Sequence, residues 1–156
     1  MTTVFLVLVL SYLLGSIPTS IVVGRIGAGL DIREHGSGNA GATNVYRLMG
    51  LGPAILVGLV DVAKGSIAVV VISTLQVDPE LQLSTDMLKI LAGGAAVAGH
   101  IWTVFGGFRG GKGMATAIGA LAFIAPVALG AALVVWLILL FTTRIMSLAS
   151  LSAAII

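Results

Sequence analysis

The residues best suited to chemistry lie in two short polar stretches of an otherwise apolar chain. In GGFRGGKG, five of the eight residues from Gly106 to Gly113 are glycine, and Arg109 and Lys112 are the only charges. Bare glycine backbone can turn its N–H dipoles onto an anion, and the two cations would reinforce that attraction. The stretch nearly matches a nucleotide-binding P-loop, with Gly106 and Gly111–Lys112 correctly spaced. It fails where Gly113 replaces the Ser or Thr that would hold magnesium, and no buried strand precedes it. A phosphate cradle therefore fits better than a nucleotide site. Lys112 would act as a point charge and Arg109 as a forked contact.

The second polar stretch is HGSGNAGATNVYR, from His35 to Arg47. Ser37, Asn39, Thr43 and Asn44 alternate with Gly36, Gly38 and Gly41, so donors from backbone and side chain fall within a short reach. A helix starting there would add its positive end to an anion site. An ordinary turn between helices has the same composition, although a 25-residue linker without apolar period is long for one. Asp61 and Lys64, three apart in VDVAKGS, share one helix face. They mark either a site or a structural pair, because isolated charges inside a span are costly. His100, beside the glycine run, is either a binding residue or a hydrogen-bonded interface histidine.

The elements that position these residues are membrane spans. The chain is 58% hydrophobic and 9% charged, against roughly 25% charged in soluble domains. An all-α polytopic membrane protein forming one domain over 1–156 is expected. Without cysteine, disulfides and thiolate sites are excluded. Apolar runs place spans over about Thr3–Gly24, within Leu51–Leu75, over about Met87–Phe105, and over about Ala115–Phe141 with a kink at Pro126. A fifth begins near Ile145. It is too short to span before Ile156, so the chain reads as C-terminally truncated. Arg25, Arg33, Arg47, Arg109 and Lys112 lie in the two glycine-rich loops, against Lys89 and Arg144 in the opposite connections. That bias puts the glycine-rich loops in the cytoplasm and the N-terminus outside. Polar groups clustered at one face favour an enzyme or receptor acting on an anion. The rival reading is a small anion transporter or channel.

Four stretches, in order, resemble the bacterial acyl-phosphate:glycerol-3-phosphate acyltransferases of the PlsY type. They are LGSIPTS (Leu14–Ser20), GSGNAGATNVYR (Gly36–Arg47), DVAKG (Asp61–Gly65) and GHIWTVFGGFRGGKGMATA (Gly99–Ala117). The resemblance implies acyl transfer from acyl phosphate to the 1-hydroxyl of glycerol 3-phosphate at a bacterial inner membrane. It implies the lipid bilayer as partner, no nucleic acid, and no metal or coenzyme A. Catalytic roles would fall to Ser37 and Lys112. Substrate binding would involve Gly38, Asn39, Gly41, Thr43, Asn44, Arg47, Asp61, Lys64 and His100, and further Arg109, Gly110, Gly111, Gly113, Thr116 and Ser147. Two departures stand out. The His-x4-Asp pair of the other glycerolipid acyltransferase class is absent, which argues against His100 as a conventional general base. The family's third motif has no counterpart before Ile156, so a catalytically incomplete fragment is a further reading.

Overall fold

The computed structural model describes residues 1–78, 83–145, 148 and 152, and Ser147 lies outside the described residues. The described secondary structure is helical throughout. Helices α1 (Thr2–Gly15) and α2 (Thr19–Ala28) form one apolar span, broken at Ser16–Pro18. Proline has no N–H to donate, and its ring bars the preceding turn from continuing. A short amphipathic helix, α3 (Ala42–Met49), precedes α4 (Leu51–Val70), and α5 (Thr85–Ile101) is the third span.

The stretch read as one kinked span is two helices, α6 (Met114–Ile124) and α7 (Pro126–Thr143). They part at Ala125, whose φ of −144° and ψ of 67° leave the helical region. A residue before proline is pushed out of the α region, and proline itself suits the first helical position. The 11 residues of α6 extend only about 16 Å, half the hydrocarbon thickness of about 30 Å. With α7, the described residues contain four apolar segments long enough to cross a membrane.

The bundle rests on two intimate helix pairs, α1 with α5 and α4 with α6. Both use glycine to bring backbones together. A Cβ on Gly15 would strike the Ala96 carbonyl, and one on Gly99 the Tyr12 carbonyl; Gly65 faces Thr116 and Gly119 faces Val62 in the same way. In lipid, where apolar burial drives little association, such close backbone packing supplies much of the cohesion. Val7, Ala68, Ala92 and Ala96 fill one buried cluster, and Ile21, Ile32, Val45 and Val57 belong to another near the loops. By contrast, α7 buries none of its residues.

Side-chain contacts fix which ends meet. Thr3 Oγ1 accepts from the Val77 and Asp78 N–H groups, tying the N-terminus to the α4–α5 connection. At the other end, Arg33 donates to the Gly106 carbonyl, so both glycine-rich loops share one pole of the bundle.

Candidate functional site

The break in the first span takes carbonyls out of the regular helical ladder, and side chains from elsewhere in the bundle donate to them. Thr103 Oγ1 donates to the Ser16 carbonyl, and Lys64 Nζ donates to the Ile17 carbonyl. Lys64 also donates to Asp61 Oδ1 at 2.7 Å, and both residues are 2% exposed. The pair thus divides its duties. Lys64 is committed to the broken helix, whereas Asp61 also lines a cavity shared with His100. His100 Nδ1 stands 3.7 Å from Asp61 Oδ1, beyond hydrogen-bonding distance.

The first loop is organised by Asp31 and Asn44. Asp31 accepts a two-point contact from Arg33, Nε to Oδ1 at 2.9 Å and Nη2 to Oδ2 at 2.7 Å. Hydrogen bonding from the Arg33 guanidinium holds the Asp31 carboxyl well below the usual carboxylate range, despite partial desolvation. Asn44 was expected to contact phosphate, but its amide is spent inside the loop. It is buried, donates to the Ile32 and His35 carbonyls, and accepts the Ser37 N–H. Gly36 must be glycine on two counts: its φ is +61°, and a Cβ would run into Asn44 Oδ1.

The second loop also differs from expectation. Its glycine N–H groups do not form an open cradle. Gly110 donates to the Ile101 carbonyl at 3.0 Å and Gly111 to the His100 carbonyl at 3.1 Å, so they cap the end of α5. Gly106 and Phe108 donate to the Thr103 carbonyl, and Gly107 donates to that of Val104. The N–H groups available to an anion come afterwards, where Gly113 (φ +76°) turns the chain into α6. The first-turn N–H groups of that helix, from Met114 onward, have no intrahelical acceptor.

A cavity of about 150 Å³ opens at this junction. Gly41, Ala42 and Thr43 bring the N-terminus of α3 to one wall, while Gly113, Met114 and Ala115 bring that of α6 to another. Asn39 and Lys112 stand at the rim, and Asp61 and His100 complete the lining. Two helix N-termini and an exposed lysine make the cavity attractive to anions. Each helix end contributes about 0.3–1 kcal/mol, and more where partly buried.

Seven of the expected residues therefore converge: Asn39, Gly41, Thr43, Asp61, His100, Lys112 and Gly113. Others stand apart from the lining. Ser37, Gly38 and Arg109 are exposed around it, and Arg47 lies one turn beyond Thr43 on α3. Gly110 and Gly111 line instead a water-sized void of about 10 Å³ that shares His100 with the cavity. Thr116 is fully buried, and its hydroxyl has no hydrogen-bond partner among the described residues. Sequence reasoning missed Ala42, Met114 and Ala115, which stand in the first turns of α3 and α6 and line the cavity. Their only signal is their place just after a glycine at a helix start.

A glycerol-3-phosphate acyltransferase family profile matches residues 5–156. The chain belongs to the glycerol-3-phosphate acyltransferase family. It is 46% identical over 160 residues to the glycerol-3-phosphate acyltransferase of Chlorobaculum tepidum, covering 99% of this chain and 68% of that protein. It is equally 46% identical over 151 residues to that of Bacillus cytotoxicus, covering 97% of this chain and 72% of the relative. Its fold matches the crystal structure of PlsY, an integral membrane glycerol 3-phosphate acyltransferase, in its glycerol 3-phosphate form. The TM-score is 0.82 at 38% identity, covering 99% of this chain and 74% of the other. The lysophosphatidic acid form of PlsY matches with a TM-score of 0.78 at 39% identity, covering 99% and 73%. This member of the acyltransferase family is thus a multi-pass, all-helical membrane protein, and its cavity is the place to look for the reaction.

Proposed function

We propose that the cavity between the α3 and α6 N-termini is where this enzyme acylates glycerol 3-phosphate during phospholipid synthesis. The carrying observation is that two positive helix ends and Lys112 meet on one cavity at the pole shared by both loops. Family membership names the acceptor, and the chemistry of an anion-binding site names what holds it. The donor is acyl phosphate, on the strength of the resemblance. The 1-hydroxyl oxygen bonds the acyl carbon, the bond from that carbon to the phosphate oxygen breaks, and inorganic phosphate leaves with the hydroxyl's proton. Acyl phosphate is already activated, so no covalent enzyme nucleophile is required. Catalysis then rests on positioning and on neutralising the leaving phosphate. Lys112 is the residue assigned to that charge, with Asn39 and Thr43 donating across the cavity and Ser37 and Arg47 at its approach. The cation bias of the loops turns this pole to the cytoplasm of a bacterial inner membrane, and the acyl tail enters from the bilayer.

The test is phosphate release from palmitoyl phosphate by membranes carrying the full-length protein. Release should require glycerol 3-phosphate, and Lys112→Ala and Asn39→Ala should each lower it by at least about tenfold. Activity unchanged in both variants would remove the cavity from the mechanism. Anion flux without acyl transfer would favour a transporter instead.

A further inference from the structure

Arg33 lies outside the cavity, yet it is the side chain that joins the two loops. Asp31 grips its guanidinium on two nitrogens, and Arg25 donates to the same carboxylate, anchoring the group to the end of α2. The remaining Nη1 donates to the Gly106 carbonyl at 2.6 Å and to the Arg109 carbonyl at 3.3 Å. Those carbonyls bracket Gly107 and Phe108, at φ of +67° and +60°. A phenylalanine in the left-handed region is held there by its surroundings, since an L side chain disfavours that conformation. From this bracketed turn the chain runs through the docked Gly110 and Gly111 to Lys112 and the start of α6.

We propose that Arg33 is a positioning residue of the acyl transfer reaction: by clamping both ends of the Gly107–Phe108 turn, it sets where Lys112 and the α6 N-terminus meet the phosphate. The inference rests on the reading of the cavity as the phosphate site. Arginine is needed because one planar group must satisfy a carboxylate and two carbonyls simultaneously. A lysine keeps the charge but offers one nitrogen in place of that fork.

The experiment compares Arg33→Lys, Asp31→Asn and Lys112→Ala in the full-length protein, with palmitoyl phosphate as donor and inorganic phosphate as inhibitor. Arg33→Lys should raise the donor KM and the phosphate inhibition constant together, lowering kcat/KM on the order of 10- to 100-fold, as an ångström-scale misplacement does. Asp31→Asn, which removes one of the two oxygens gripping the guanidinium and leaves Arg33 itself unchanged, should move both constants in the same direction. It serves as the probe should Arg33→Lys fail to fold. A purely structural role would lower kcat with the amount of folded enzyme and leave both constants alone. KM and inhibition constant within twofold of the parent, beside a Lys112→Ala variant that loses activity, would overturn the inference and leave the cavity reading standing. A fully active Lys112→Ala variant would instead remove the cavity reading, and the inference with it.

Discussion

Gly111 offers the sharpest test of how the pole of this bundle is assembled. A Cβ built there would come within 2.5 Å of the Ala40 carbonyl and would overlap His100 Nε2. It falls about 0.9 Å short of the 3.4 Å at which ordinary contact begins, and the obstacle is backbone that no rotamer change can move aside. Gly111 does not have a positive φ, so Gly111→Ala adds bulk without backbone strain. The first loop, the end of α5 and the glycine loop must therefore separate by nearly 1 Å beside His100, which lines the cavity. Misplacement of that size costs about 100-fold in rate, or about 2.7 kcal/mol of transition-state stabilisation. The assay is glycerol-3-phosphate-dependent phosphate release, with circular dichroism and gel filtration in detergent confirming the fold. Gly94→Ala and Gly130→Ala are the controls, because their Cβ atoms would meet nothing within 4 Å. Both should stay within twofold of the parent in activity and gain up to about 1 kcal/mol in stability. A Gly111→Ala enzyme within threefold of the parent would refute the reasoning, as would an equal loss in the controls.

Two further outcomes follow from paired charges. Lys64→Met should strand the Asp61 carboxylate and leave the Ile17 carbonyl with the Thr19 N–H alone, costing about 3–5 kcal/mol; thermal melts in detergent measure this, and an unchanged melt would deny Lys64 its part in the broken span. Asp31 has a folded-state pKa below its ordinary 3.8. Its bond to Arg33 therefore adds stability that is present above about pH 4 and is lost as pH falls through the folded-state value. The melting difference between the parent and Asp31→Asn should be level from pH 5 to 8 and shrink below about pH 4, whereas a difference that grows in acid would contradict the assignment.

Much of this was legible in the sequence because it depends on local physics. Hydropathy located the first three spans, Pro126 was read as a kink where the structure has a full break between α6 and α7, and charge placement grouped the loops. Lys112, Asn39, Thr43, His100 and Asp61, which line one cavity, stood out by residue type and by position near glycine or inside a span. What escaped was set by contacts distant in sequence. Arg33 meets Gly106 across 73 residues, and nothing near either position announces the meeting. The N–H groups of Gly110 and Gly111 looked free because α5 was not known to end with its His100 and Ile101 carbonyls facing them. Asn44 looked like a ligand because an amide that binds phosphate and one that braces a loop have the same formula. Ala42, Met114 and Ala115 carry no chemical signal in their side chains.

The two converging helix ends bear on how such a cavity can be dissected. Their charge belongs to peptide groups, so it neither titrates nor disappears when a side chain is trimmed. Alanine replacements around Met114 would leave the field in place and count the residue as idle. Removing an N–H requires proline, which the first turn of a helix tolerates, or an ester in place of an amide. The same property lets these positions vary in side chain without changing what the substrate meets, so the most constant part of the binding surface is the part least visible in the letters of the sequence.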